Sequence, residues 1–211
     1  MKYQVLLSAL ACALALIAGA ASAQAPAGAI SSAESSAPDA MQALPASAVA
    51  NALRQGGYVI YFRHASTDFS QNDAQMTGYS DCAHQRLLTD QGRKEAREIG
   101  RQIARLKLAR GEVIVSPYCR TMETARLMFG QVNARNALRE AVAGDFPDLK
   151  QLFATPVTLG SNRWIVGHGM PFRTVAGPPQ LAEGEAVVIR PEGTGWTVLA
   201  RVLAQDWAGL R

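Results

Sequence analysis

The chain has 211 residues, of which 48% are hydrophobic and 18% are charged. This composition is typical of a globular domain and excludes a disordered or collagen-like chain. Three cysteines are too few for a disulfide-dense miniprotein. The formal net charge is +4, and 17 of the 21 basic residues are Arg, which raises the question of an anionic partner.

The amino terminus has the three-part pattern of a secretory signal peptide. A weakly basic start is followed by the apolar run 5–19, and Ala21-Ser22-Ala23 provides a small-x-small cleavage site before Gln24. The run is shorter than the roughly 20 residues that a membrane-spanning helix needs. The pattern predicts a periplasmic or secreted protein with no stable membrane span. A single membrane anchor and a lipid anchor on Cys12 are the alternatives.

The sequence predicts three segments. The signal peptide covers 1–23, and 24–45 is dominated by Ala, Ser, Pro and Gly with few large apolar side chains. Such a segment buries too little surface to offset chain entropy, so a disordered tether is expected. A folded domain is expected over 46–211.

Short apolar runs and helical patterns alternate along this domain. The runs 58–62, 112–115 and 164–167 are typical of strands buried on both faces. Between them, Thr89 is expected to cap a helix that runs to about Leu108. A second helix is expected to start at Ser116-Pro117 and to stop at Gly130.

Further elements are predicted at the ends of the domain. Ser47 caps a short helix to Gln55, 185–190 and 195–202 form a closing strand pair, and a helical turn surrounds Trp207. The order of elements predicts an α/β fold with a largely parallel central sheet and helices on both faces. In such sheets, ligands bind at the carboxyl ends of the strands.

An arginine, a histidine or both follow each of the three buried strands. Arg63-His64 follows the first, Arg120 lies shortly after the second, and His168 follows the third. Arginine forks bind phosphate oxygens, and a neutral imidazole is a nucleophile near neutral pH. The pattern predicts a phosphoryl-transfer site that needs no metal or other cofactor, since Arg and His supply the charge. Paired ligands at metal spacing do not occur in the sequence.

Four motifs resemble, in order, those of the histidine phosphatase (phosphoglycerate mutase-like) superfamily. They are Arg63-His64-Ala65, Leu88-Thr-Asp-Gln-Gly92, Ser116-Pro-x-x-Arg120-x-x-x-Thr124-Ala125 and Gly167-His168-Gly169. Ala65 stands where Gly is commoner, as it also does in the phosphohistidine phosphatase-like branch. The continuation after Ala65 departs from the Glu-x-x-x-Asn of the sugar-phosphate mutases, which argues against a mutase.

The resemblance implies a phosphoglycerate mutase-like fold and phosphomonoester hydrolysis. It implies that His64 is the phosphorylated nucleophile and that Arg63, Arg120 and His168 form the phosphate pocket. Leu138-Arg139-Glu140 matches the family's Leu-x-Glu pattern, which makes Glu140 the expected proton donor. The other candidates for this role are Asp68, Asp145 and Asp148.

Cys82 and Cys119 are the two cysteines outside the predicted signal peptide. An even number of cysteines in an exported protein favours a disulfide between them, and two separate thiols are the alternative.

The predicted partner is a phosphorylated small molecule or envelope sugar. The rival functions are a phosphatase specific for lipopolysaccharide sugar phosphates and a non-catalytic, phosphate-binding pseudophosphatase. One helix carries a stripe of basic residues spaced by four, which is either a solvated face or a weak contact with an anionic surface. The stripe consists of Arg93, Arg97, Arg101 and Arg105. Nucleic acid is not expected, because no aromatic residues interleave with the basic ones.

Overall fold

The computed structural model describes residues 44–130, 132–138 and 144–211. The chain divides into two units, Met1–Pro38 and Asp39–Arg211, and the described residues belong to the second. The predicted signal peptide and most of the predicted tether lie outside the described residues. No helix in the described ranges is long and apolar enough to cross a membrane.

A six-stranded mixed sheet runs through the described domain. Its strands are β1 (Val59–Arg63), β2 (Val113–Val115), β3 (Asn133–Ala134), β4 (Arg163–Gly167), β5 (Ala186–Pro191) and β6 (Trp196–Val202). Their spatial order is β3-β2-β4-β1-β5-β6. The first four strands in this order run parallel, and β5 and β6 add an antiparallel edge. The predicted largely parallel sheet is confirmed, and its antiparallel edge is the predicted closing strand pair.

Helices cover both faces of this sheet. They are α1 (Ala46–Gln55), α2 (Asp90–Arg105), α3 (Cys119–Phe129), α4 (Pro147–Ala154) and α5 (Gly169–Ala176). Helices α1, α2 and α3 pack in one apolar cluster with Phe62 of β1. Helices α4 and α5 pack in a second cluster with the adjacent Tyr61. Because successive strand residues point to opposite faces, the two clusters lie on opposite sides of the sheet, as predicted.

Several element boundaries differ from the predicted ones. Helix α1 begins after Pro45 rather than from a Ser47 cap. Helix α2 ends at Arg105, and Lys107 then takes a left-handed conformation with φ 53°. Tyr118 is the N-cap of α3, so Ser116-Pro117 forms the turn before that helix. The short elements β3, α4 and α5 are not predicted by the sequence pattern.

Candidate active site

Three adjacent parallel strands end at one edge of the sheet, and each is followed by a polar residue. In the sheet register, Arg63 of β1 pairs with Gly167 of β4. Strand β2 lies on the other side of β4. His64, His168 and Ser116, the residues that follow β1, β4 and β2, therefore lie next to one another. The ring centroids of the two histidines are 5.6 Å apart.

His64 is buried and held from several directions. Its backbone N–H donates to Gly167 O at 3.0 Å, and its carbonyl accepts the Gly184 N–H at 2.9 Å. Its imidazole Nδ1 lies 3.0 Å from Ala65 O. Because a carbonyl oxygen can only accept, this contact places the ring hydrogen on Nδ1. The lone pair is therefore on Nε2, the nitrogen that a nucleophilic imidazole needs.

His168 is anchored by the Tyr61 side chain, which belongs to the apolar cluster of α4 and α5. The Tyr61 hydroxyl accepts the His168 N–H at 2.9 Å and donates to the His168 carbonyl at 2.8 Å. A Cβ on Gly167 would lie 2.3 Å from that hydroxyl oxygen, so only glycine leaves room for the contact. The His168 Nε2 lies 2.8 Å from Ser116 Oγ. Tyr61 is thus a site residue that the sequence analysis counted only as part of an apolar strand.

Arg120 lies in the first turn of α3 and is fully buried, with 0% exposure. Its guanidinium carbon is 4.5 Å from the centroid of the Tyr118 ring. Its Nη1 lies 3.0 Å from each carboxylate oxygen of Asp73. A buried arginine needs such a partner, because an uncompensated charge is costly to desolvate.

Arg63 and Glu183 form a second ion pair in the site. The Arg63 Nη2 lies 3.2 Å from Glu183 Oε1, and its Nη1 donates to Leu181 O at 2.8 Å. Glu183 also accepts from the backbone N–H and the hydroxyl of Thr67, at 2.9 and 2.6 Å. The same Oε1 lies 3.9 Å from His64 Nδ1. Glu183 therefore connects the Arg63 side chain to the loop that follows His64.

Arg86 is a third arginine beside the histidines, and the sequence analysis did not predict it. Its positive charge helps to lower the pKa of both His64 and His168. Its guanidinium carbon lies 4.8 Å from the centroid of the Phe69 ring, which is 70% exposed. The signal available in the sequence was the position of Arg86 next to the Leu88-Thr-Asp-Gln-Gly92 motif.

Comparison with known proteins identifies the family of this fold and site. Residues 59–155 match the family model of the histidine phosphatase superfamily, branch 1. This matched segment, which contains His64 and Arg120, belongs to the histidine phosphatase superfamily. The match supports a phosphoric monoester hydrolase. A search of curated proteins finds no match to the chain.

Solved structures of other proteins share the fold of this histidine phosphatase. A mutant phosphoserine phosphatase of Entamoeba histolytica, in complex with phosphoserine, is 15% identical, with a TM-score of 0.51, and the match covers 70% of this chain and 98% of that one. Mycobacterial hydrolase 1 is 14% identical, with a TM-score of 0.51 and coverage of 68% and 98%. The Agrobacterium tumefaciens protein assigned as phosphohistidine phosphatase SixA is 18% identical, with a TM-score of 0.49 and coverage of 69% and 97%. The first two likenesses confirm the phosphoglycerate mutase-like fold.

The predicted proton donor of the phosphatase, Glu140, lies outside the described residues. The other three candidates have contacts of their own. Asp68 accepts from the N–H and hydroxyl of Ser70, which lowers the pKa of its carboxyl. Asp145 Oδ2 lies 3.9 Å from Lys150 Nζ. Asp148 lies in the first turn of α4. The assignment of Glu140 therefore stays a prediction from the resemblance.

Cys82 and Cys119 are joined by a disulfide, with Cα atoms 5.7 Å apart. Beside the bond, the buried Gln85 accepts the Cys119 N–H on Oε1 at 2.9 Å and donates from Nε2 to Tyr79 O at 3.0 Å. The loop after His64 is therefore fastened to the start of α3, next to both Arg86 and Arg120.

Elsewhere on the phosphatase, part of the basic stripe is engaged in ion pairs. Arg93 Nε lies 2.7 Å from Glu123 Oε1, and Arg93 Nη1 lies 3.2 Å from Asp90 Oδ1. Arg101 forms an ion pair with Glu98. The contact of this stripe with an anionic surface stays a prediction. The described ranges contain no group of three or more His, Cys, Asp or Glu side chains that could hold a metal ion.

Burial lowers the pKa of both His64 and His168 well below the usual 6.5. The neighbouring charges of Arg120, Arg63 and Arg86 act in the same direction on both rings, and His64 adds to the effect on His168. Both imidazoles are therefore neutral at pH 7, which leaves the Nε2 lone pair of His64 available for attack.

These lowered pKa values predict a loss of stability at acid pH. Below pH 6.5 the unfolded chain binds protons that the folded chain does not, so the free energy of unfolding should fall as the pH falls. Each histidine contributes a slope of up to about 1.4 kcal/mol per pH unit between its lowered pKa and 6.5. Urea denaturation at several pH values measures this slope. The slope should be shallower in His64→Gln than in the wild type. An equal slope in the two proteins would contradict the prediction.

Proposed function

We propose that the protein is an exported phosphatase that hydrolyses a phosphomonoester through a phosphohistidine intermediate on His64. The observation that carries this proposal is the Nδ1 contact of His64 with Ala65 O, which leaves the Nε2 lone pair available. Arg63, Arg120 and His168 lie around that ring and supply the donors and charge that a phosphoryl group needs.

In the first step, the phosphoryl oxygens bind Arg63, Arg120 and His168, and Arg86 adds positive charge at the rim. His64 Nε2 attacks phosphorus, an N–P bond forms, and the P–O bond to the leaving group breaks. The leaving oxygen takes a proton from Glu140, the carboxyl that the family pattern assigns to this role. The free alcohol then departs.

Attack leaves the His64 ring with a proton on Nδ1, phosphorus on Nε2 and a positive charge. Ala65 O accepts the Nδ1 hydrogen, and Glu183 Oε1, 3.9 Å away, supplies a compensating negative charge. In the second step, water attacks phosphorus and gives a proton to the Glu140 carboxylate. The N–P bond breaks, inorganic phosphate is released, and His64 returns to its starting state.

Export is proposed from the amino-terminal pattern alone. The apolar run 5–19 and the Ala21-Ser22-Ala23 site direct the mature protein to the periplasm or the outside of the cell. The proposed substrate class follows from this location and from the phosphate pocket, namely a phosphorylated small molecule or envelope sugar that occurs outside the cytoplasm.

Trapping of the phosphoenzyme tests the intermediate. The protein is mixed with a radiolabelled aryl phosphate and quenched in alkaline denaturant, because the N–P bond of phosphohistidine is labile in acid. Protein-bound label that is released by mild acid is expected in the wild type and in His84→Ala, and not in His64→Ala. Turnover without bound label, or label at another residue, would contradict the proposal. Binding of phosphate with neither label nor turnover would identify a pseudophosphatase.

A further inference from the structure

The loop between β1 and α2 brings a carboxylate onto the buried arginine of the site. Asp73 lies in this loop, and its side chain is 29% exposed whereas that of Arg120 is 0% exposed. Resting on the function proposed above, we propose that Asp73 is a positioning residue: it holds the Arg120 guanidinium in its phosphate-binding orientation and ties it to the loop segment that carries Arg86.

The contact with Arg120 uses only one end of the guanidinium. Both oxygens of Asp73 are 3.0 Å from Nη1, so the carboxylate engages this nitrogen end-on. The two N–H bonds of Nη1 diverge widely in the planar guanidinium, whereas the two carboxylate oxygens lie close together, so both oxygens share one N–H. The edge that contains Nη2 is not used by Asp73. Asp73 thus fixes the direction of the guanidinium without covering the edge through which an arginine can bind phosphate.

The same carboxylate also fixes the backbone at Arg86. Asp73 Oδ1 accepts the Arg86 N–H at 2.8 Å. One side chain therefore joins the two arginines, Arg120 by its guanidinium and Arg86 by its backbone. The Gln85 contact with Cys119 N and the disulfide at Cys82 hold the same loop against α3, so Asp73 is fixed on a braced segment.

A negative charge beside the phosphate pocket would by itself weaken phosphate binding. Removal of that charge alone should tighten the binding of any oxyanion and leave turnover intact. A positioning role predicts a different result, because a misplaced guanidinium weakens binding of the transition state more than binding of the ground state. The two effects can be separated with two inhibitors. Inorganic phosphate resembles the product, whereas vanadate adopts a five-coordinate geometry that resembles the transition state.

The test compares Asp73→Asn with the wild type. The amide oxygen can still accept the Arg86 N–H, but the negative charge that faces Arg120 is lost. We expect kcat to fall about tenfold and the inhibition constant for vanadate to rise by about the same factor, with that for phosphate changing less than about threefold. Asp73→Glu, which keeps the charge, should recover part of kcat. Asp81→Asn, which removes a carboxylate from the same loop, should behave like the wild type.

Thermal unfolding of each variant shows whether the fold is intact. A kcat for Asp73→Asn within twofold of wild type would overturn the inference. Equal shifts of the vanadate and phosphate constants would also overturn it, as would a loss of activity that Asp73→Glu does not recover. The His64→Ala variant in the same assay separates this inference from the proposed function. If His64→Ala keeps its turnover, the proposed function fails. If His64→Ala is inactive and Asp73→Asn is fully active, only the inference on Asp73 fails.

Discussion

Replacement of His64 by Ala is expected to lower kcat for an aryl phosphate by at least about four orders of magnitude. The ring is the only protein group that forms a bond to phosphorus in the proposed reaction. Its Nε2 is placed for attack by the Nδ1 contact with Ala65 O, and no second imidazole replaces it because His168 Nε2 is engaged with Ser116 Oγ. Steady-state release of phosphate, with enzyme in large excess over any contaminating phosphatase, measures the loss.

His84 provides a matched control for this experiment. It is the remaining one of the three histidines in the chain. It lies on the surface, and its Nδ1 is 2.9 Å from Asp81 Oδ1. His84→Ala should keep kcat within about twofold, since surface substitutions outside a site have small effects. His64→Gly with added imidazole extends the test, because free imidazole in the vacated volume can take the phosphoryl group. Substantial kcat in His64→Ala without imidazole would refute the nucleophile assignment.

Removal of the Cys82–Cys119 disulfide is expected to lower the free energy of unfolding by roughly 2–4 kcal/mol. The bond joins residues 37 positions apart, and a loop of that length gains much conformational freedom in the unfolded chain when it opens. Cys82→Ser combined with Cys119→Ser, compared with the wild type in urea denaturation, measures the difference. KM should rise in the same variant, because the bond braces the segment that carries Gln85 and Arg86.

Reducing agent gives an independent measurement on the same bond. It should destabilise the wild type to about the level of the double variant and have no effect on the double variant itself. Two cysteines that react with an alkylating agent before reduction, detected by mass spectrometry, would show that the disulfide is not formed. Equal stability of the two proteins would contradict the expected entropic effect.

The centre of the fold was predictable because its signals are local and repeated. Buried parallel strands such as β1 and β4 are continuous apolar runs, and the Thr89 cap of α2 is an expected contact, with its hydroxyl accepting the Gly92 N–H at 2.9 Å. The convergence of Arg63, His64 and His168 follows from topology alone, since the carboxyl ends of adjacent parallel strands meet. Helices α4 and α5 have only eight residues each, too few to produce a clear apolar period.

The remaining site residues depend on contacts that sequence patterns do not encode. Asp73 reaches Arg120 across 47 residues, and Tyr61 reaches His168 across 107. From the sequence alone, Tyr61 is predicted only as an ordinary strand residue, because its contact with His168 depends on the register of β1 against β4. From the sequence alone, Arg86 is predicted only as a loop residue, because its position in the site depends on the disulfide and Gln85, which hold its loop against α3. Tertiary packing decides all three, which is why composition and periodicity did not reveal them.

The backbone around His64 is bonded to Gly167 on one side and to Gly184 on the other, both in or next to the sheet. The segment 68–84, by contrast, is a loop with turns and a single short 3₁₀ helix. The reactive nitrogen thus belongs to the rigid framework of the sheet, whereas the segment 68–84 lies outside that framework. A graft of this segment from a relative that keeps Asp73 and Cys82 should alter which alcohols are accepted, while the rate of dephosphorylation of the histidine, a step that no longer involves the alcohol, stays the same.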